Sequence, residues 1–238
     1  MNRLKYYIIP IIIFFSLAYL PTAFAVSTAP LSTFRVKEVA LTFDDGPYGT
    51  STELVLDILR RENVPATFFL IGQNVVKYPS LTKEIIASGN LIGNHTYDHP
   101  KNLTAMPLID QLMELSKTDS AIVTATGVHT KFFRPPYGNI SQSLRNMLNT
   151  EGYKVAMWNA DPKDWNDASS TSQQIVDRVL GHLKTHMVIV LHDGRDTQLN
   201  YPRDNMVNAL STIIEDLKAR GYTFVTADKL TVSHLGGK

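Results

Sequence analysis

From residue 38 onward the chain alternates between short runs rich in β-branched and aromatic residues and longer segments whose apolar residues recur every three to four positions. Seven β-type runs are legible, at 38–43, 66–71, 91–93, 131–133, 154–158, 187–191 and 222–225. Parallel strands need long crossover connections, usually helical, so this alternation predicts an α/β chain built on a parallel sheet. Seven such units suggest a parallel barrel or a doubly wound sheet. Both architectures place their chemistry at the carboxyl ends of the strands.

The intervening segments carry helix-end signals. Thr50-Ser51-Thr52-Glu53 reads as a capping box ahead of Leu54, Val55, Ile58 and Leu59. Pro79 opens a helix that Gly89 closes, and Ser141 opens one that Gly152 closes. Helices over 107–126, 171–183 and 204–220 complete the set, the last with a core stripe of Met206, Leu210, Ile213, Ile214 and Leu217. No fixed-period repeat, low-complexity tract or internal linker divides the chain, so one domain is expected.

The first residues follow a different logic. Arg3 and Lys5 precede an apolar stretch at 6–20, and Ala23-Phe24-Ala25 follows, the three-part layout of a secretory signal peptide. The expected organisation is a signal peptide at 1–25, a linker at 26–35, a domain at 36–232 and a tail at 233–238. Cleavage after Ala25 would make the protein secreted or resident in the cell envelope, with no stable membrane partner. The alternative is an uncleaved segment that anchors the chain in a membrane. The chain contains no cysteine, which is compatible with export, because a domain of this size buries roughly 70% of its unfolded surface without disulfides.

Lys and Arg number 23 against 22 Asp and Glu, a formal charge of +1, so no broad basic surface is present to neutralise phosphates and no nucleic-acid partner is expected. Ionisable residues instead collect at the ends of the β-type runs. They are Asp44-Asp45-Gly46-Pro47, His95-Thr96-Tyr97-Asp98-His99, Arg134-Pro135-Pro136-Tyr137, Asp161-Pro162-Lys163-Asp164-Trp165 and His192-Asp193. A parallel sheet gathers all five clusters on one rim.

Such a rim can do metal-assisted hydrolysis. His95, His99 and one of Asp44 or Asp45 supply two imidazoles and a carboxylate, leaving a position open for water. Singly, each signal has a structural reading: two surface histidines, or a turn made by Asp, Gly and Pro. Two adjacent carboxylates stay ionised together only where cations separate them, as a metal on one and Arg134 beside the other would. The carboxylate off the metal is then a general base toward water, and His192 is placed to carry a second proton.

Thr42-Phe43-Asp44-Asp45-Gly46-Pro47, His95-Thr96-Tyr97-Asp98-His99, Arg134-Pro135-Pro136-Tyr137, Asp161-Pro162-Lys163-Asp164-Trp165 and Val190-Leu191-His192 together resemble the five ordered motifs of the NodB-homology polysaccharide deacetylases, carbohydrate esterase family four. The resemblance spans about residues 38–230. It implies a distorted (β/α) barrel with about seven parallel strands, and removal of N-acetyl groups from N-acetylglucosamine-type residues of a peptidoglycan or chitin-like polysaccharide, with release of acetate. It also implies Asp44 as catalytic base, Asp45, His95 and His99 as metal ligands, and Arg134 as the residue holding the base. His192 would be the general acid, tuned by Asp164. The Tyr137 backbone N–H would help bind the oxyanion, and Trp165 and Leu191 would line the acetyl and sugar pocket. Zinc suits two histidines and a carboxylate, and cobalt, nickel and manganese are other divalent ions such a set accepts.

The sequence departs from the family pattern at Ala160, where a larger aliphatic residue is common, and at Asp98, where a small polar one often sits. Both bear on substrate preference. Tyr48, Tyr97, Tyr137 and Trp165 flank the motifs and can stack on sugar rings or serve as packing. Two other readings are an O-acetyl esterase acting on xylan and a glycan-binding protein without catalysis. The polymer, the native metal and the oligomeric state are not legible in the sequence.

Overall fold

The computed structural model describes residues 36–166, 170–196, 198 and 202–230. The expected signal peptide at 1–25, linker at 26–35 and tail at 233–238 lie outside the described residues. Among those described, no helix is long and apolar enough to cross a membrane.

Seven parallel strands form one sheet: β1 (Lys37–Asp44), β2 (Ala66–Leu70), β3 (Leu91–Asn94), β4 (Phe132–Phe133), β5 (Lys154–Val155), β6 (His186–His192) and β7 (Tyr222–Phe224). The order is β5-β4-β3-β2-β1-β6, with β7 paired to the first residues of β1. The helices are α1 (Gly49–Glu62), α2 (Gly72–Lys77), α3 (Pro79–Ala87), α4 (Leu108–Thr126), α5 (Gln142–Thr150), α6 (Ser172–Leu180) and α7 (Asp204–Ala219). The result is a curled, all-parallel half-barrel, the expected α/β class with a distorted (β/α) barrel.

Alternation along β1 and β6 decides which residues reach the site. Successive strand residues face opposite ways. Val39, Leu41 and Phe43 on β1, with Met187, Ile189 and Leu191 on β6, join the main core with α1, α6 and α7. Phe43 and Phe68 stack there with ring centroids 5.0 Å apart. The opposite face of the same strands carries Ala40, Thr42 and Asp44, and Val188, Val190 and His192. The stripe expected on α7 is buried in full. Each fully buried Leu or Ile in it contributes about 1.5–3 kcal/mol.

Three local expectations are corrected. The capping box at Thr50–Glu53 does not form, because α1 begins at Gly49 with Tyr48 as its unassisted N-cap. Thr52 instead sits inside the helix, where its hydroxyl donates to buried Asp193 and accepts the Tyr48 N–H. The box does occur at α6, where Thr171 and Gln174 cap one another, and that helix ends at Leu180 rather than 183. The fifth strand stops at Val155 rather than running to 158. Beyond Val155 the chain crosses to the free edge of β6, where Ala160 bridges Ile189 and accepts the Val190 N–H at 3.0 Å. That crossing delivers Trp158, Asp161 and Asp164 to the carboxyl end of β6.

Candidate active site

The rim at the strand ends is a cleft of about 360 Å³ lined by Asp44, Asp45, His95, His99, Tyr137, Trp158, Asp161, Trp165, Val190, His192, Arg195, Asp196 and Arg203. Asp44 is the last residue of β1 and points inward by strand alternation. Asp45 would face away on a continuing strand. Its backbone instead turns into the left-handed region, φ 74°, which swings the second carboxylate onto the same side. The turn is closed tightly. A Cβ on Gly46 would collide with the Asp193 carboxylate, and one on Gly194 would lie 2.5 Å from the Asp45 carbonyl oxygen. Asp193 is fully buried, and burial pushes its carboxyl up to about 7.

His95 and His99 lie on the loop after β3, with Thr96 and His99 themselves at positive φ. His95 Nε2 lies 3.6 Å, and His99 Nε2 3.4 Å, from the same atom, Asp45 Oδ1. One ligand-type atom from each of the three residues falls within 4.8 Å of the others, the single such group among the described residues. The Asp45 Oδ1 atom is buried without a hydrogen-bond donor. A buried, undonated carboxylate oxygen facing two imidazole nitrogens is costly alone and fits a cation shared among them. Burial, then repulsion from His99, pushes His95 down to about 3, which keeps its ring neutral. Burial works most strongly against charge on His99 too, but the Asp196 contact and the nearby Asp45 and Asp44 charges together outweigh it and raise that group.

The two adjacent aspartates are separated by their partners. Arg134, fully buried on the loop after β4, donates from Nη1 to Asp44 Oδ1 at 2.7 Å and to Thr42 Oγ1 at 2.8 Å. Its Nε donates to the Ala156 carbonyl at 3.1 Å, and its guanidinium carbon lies 4.1 Å from the Phe69 ring centroid. The Arg134 carbonyl lies 2.7 Å from His95 Nδ1. One residue thus fixes both a carboxylate and an imidazole.

At the other side of the cleft, His192 Nδ1 is 2.9 Å from Asp164 Oδ1. Burial alone would lower the His192 value, but the Asp164 charge and hydrogen bond raise it to about 9. Tyr137, 48% exposed, sets its ring 4.9 Å from that of His99. Trp165, 45% exposed, also lines the cleft.

Leu191 does not line the cleft. It is fully buried in the main core on the opposite face of β6, and Val190 lines the cleft in its place. Two of the four flanking aromatics are also elsewhere: Tyr48 is buried, and Tyr97 lines a separate groove between α2 and α4. Asp196, Trp158 and Val190 were not singled out from the sequence. Val190 could have been, because residues on either side of His192 in a strand face away from it while those two apart share its face.

A polysaccharide deacetylase family model matches residues 32–156. A Bacillus cereus peptidoglycan-N-acetylglucosamine deacetylase is 39% identical over 193 residues, 81% of this chain and 68% of that protein. The Bacillus subtilis peptidoglycan-N-acetylmuramic acid deacetylase PdaC is 35% identical over 194 residues, 82% of this chain but 38% of that protein. A solved structure of PdaC superposes with a TM-score of 0.72 at 34% identity, covering 84% of this chain and 91% of that one. This chain belongs to the polysaccharide deacetylase family.

Proposed function

We propose that the chain removes N-acetyl groups from the amino sugars of a cell-wall glycan of the peptidoglycan type, releasing acetate, by metal-assisted hydrolysis. The observation that carries this reading is the convergence of Asp45, His95 and His99 on one point beside the Arg134-bound Asp44, with His192 and Asp164 lining or flanking the same cleft. Asp45, His95 and His99 would hold a divalent metal, zinc first among those the donor set accepts. When bound, the metal supplies Lewis acidity, polarising the acetamide carbonyl and lowering the pKa of water.

The chain's own groups supply the rest. Asp44, held in place by Arg134, takes a proton from water as the water oxygen attacks the acetyl carbonyl carbon. His192 carries the proton that the sugar nitrogen needs as the C–N bond breaks, and Asp164 holds that imidazole in its protonated form. Arg134 is the group that orients the base. The Tyr137 backbone N–H would donate to the oxygen on which charge develops. Trp165, with Trp158 and Val190, forms the apolar wall on which the acetyl group and sugar ring would rest.

Peptidoglycan as substrate is supported by the names of the B. cereus and B. subtilis relatives, and it agrees with the secretory layout expected of residues 1–25, which would deliver the chain to the envelope or beyond it. The decisive experiment measures acetate released by the purified protein from peptidoglycan, N-acetylglucosamine oligomers and acetylated xylan, before and after chelation and after zinc is restored. Acetate from the first two that is lost on chelation and regained with zinc is the expected result. Release from xylan alone would make it an O-acetyl esterase, and glycan binding without acetate would make it a lectin-like protein.

A further inference from the structure

The mechanism gives the cleft residue Asp196 no task. Asp196 lies in the loop after β6 and touches three of the groups around the proposed metal point. Its Oδ1 is 2.7 Å from His99 Nδ1. Its backbone N–H donates to Asp45 Oδ2 at 3.1 Å. Its Oδ1 also accepts from the Tyr137 hydroxyl at 3.3 Å, and the Tyr137 ring covers His99.

We propose that Asp196 is a positioning residue for the metal ligands, its carboxylate selecting the ligating nitrogen of His99 and its N–H selecting the ligating oxygen of Asp45. This rests on the reading of Asp45, His95 and His99 as a metal triad. With Nδ1 turned to the Asp196 carboxylate at an ion-pair distance of 2.7 Å, His99 presents its Nε2 toward Asp45 Oδ1, 3.4 Å away. With Oδ2 occupied by the Asp196 N–H, Asp45 keeps Oδ1 for the same point, and that oxygen is the one with no other donor. A carboxylate behind a ligating histidine fixes its ring and raises its basicity. His95 has a weaker support of the same kind, the Arg134 backbone carbonyl, which no side-chain substitution removes. The two histidines therefore differ in a way that mutation can separate. The backbone at Asp196 is itself in the left-handed region, φ 47°, and the Asn74 amide donates to its carbonyl at 3.4 Å. Non-glycine residues occupy such conformations where surrounding contacts hold them.

Asn tolerates the left-handed conformation and retains an acceptor without the charge, so Asp196→Asn and Asp196→Ala form a graded pair. Zinc affinity of the full chain, measured by competition with a chromogenic chelator, should fall about 10- to 100-fold in Asp196→Ala and by less in Asp196→Asn. The thermal midpoint of the metal-free protein should stay that of the parent in both. With cobalt as the probe, the visible absorption of Asp196→Ala should shift relative to the parent. Zinc affinity within twofold of the parent in Asp196→Ala, or a loss matched by a collapse of the metal-free midpoint with Asp196→Asn unaltered, would overturn the proposal. His95→Ala in the same assay separates the two levels. If it binds zinc as tightly as the parent, the triad itself is wrong. If it loses zinc while Asp196→Ala does not, only the role of Asp196 is wrong.

Discussion

Asp164 grips His192 at two points: Oδ1 lies 2.9 Å from the imidazole Nδ1, and Oδ2 accepts the His192 backbone N–H at 2.8 Å. The backbone bond fixes where the carboxylate sits, and the side-chain bond fixes which ring nitrogen it faces. Because Nδ1 is engaged, Nε2 is the nitrogen left to exchange a proton in the cleft. The carboxylate is 1% exposed and so acts on the imidazole with little screening by water.

The first prediction concerns pH. His192 is raised from 6.5 to about 9, so a reaction that needs it protonated keeps its rate through neutral pH and loses it as pH rises past about 9. Asp164→Asn removes the charge and leaves the burial that opposes protonation, so the alkaline limb of kcat/KM should move below that of the parent by more than one pH unit. The linked stability has the same sign. A group raised on folding contributes fully below 6.5, and that contribution is lost as pH climbs through about 9. Thermal midpoints measured from pH 6 to 10 should therefore fall more steeply for the parent than for Asp164→Asn.

The second separates the two aspartates. Asp44 Oδ1 is held by Arg134, with Oδ2 3.8 Å from His95 Nε2, whereas Asp45 Oδ1 faces both imidazoles. Asp44→Asn should lower turnover about 100- to 10,000-fold, the usual loss of a general base, while zinc content by elemental analysis stays at that of the parent. Asp45→Asn should lose zinc as well as turnover. Zinc loss of equal size in both variants would mean that the two carboxylates share the cation.

The third concerns Arg134, whose charge is fully buried. Removing one partner of a buried ion pair leaves the other charge uncompensated, at a cost of about 3–5 kcal/mol. Arg134→Ala should lower the unfolding free energy by that order in denaturant titration. Asp44→Ala should lower it similarly, and the double variant by clearly less than the sum, since one interaction is lost once.

How much of this the sequence carried depends on where each residue sits relative to a strand. Asp44, His95, Arg134 and His192 stand at or beside strand ends, where a parallel sheet must gather them, and that much follows from the alternation of runs. The sequence left open which aspartate faces the imidazoles, because adjacent strand residues should diverge; the left-handed turn at Asp45 that defeats this is imposed by its neighbours. Asp45, Thr96, His99, Tyr137 and Asp196 all have positive φ although none is glycine, so local propensity gives no sign of their directions. Trp158 and Asp164 reach the cleft through coil that follows the edge of β6 rather than through the longer fifth strand expected at 154–158. The misplacement of Leu191 is of another kind, since strand alternation alone assigns it to the core.

The last prediction tests the loop that bears both histidines. Glu114, 6% exposed on α4, accepts the backbone N–H groups of Tyr97 and Asp98 on one oxygen, Oε2, at 2.9 and 2.8 Å. Asn94 braces the same loop, taking the Thr96 N–H on Oδ1 at 2.8 Å while its amide donates to the Leu115 carbonyl at 2.9 Å. The connection between His95 and His99 is thus fastened to α4 through two part-buried N–H groups. Glu114→Ala removes the protein acceptor of both part-buried groups, at about 0.5–1.5 kcal/mol each. The thermal midpoint should drop, and zinc affinity should drop with it, because the spacing of the two imidazoles depends on that clamp. Glu114→Gln keeps an acceptor oxygen and should retain most of both. If Glu114→Ala lost stability while holding zinc as tightly as the parent, the histidine loop would be positioned by its own turns rather than by α4.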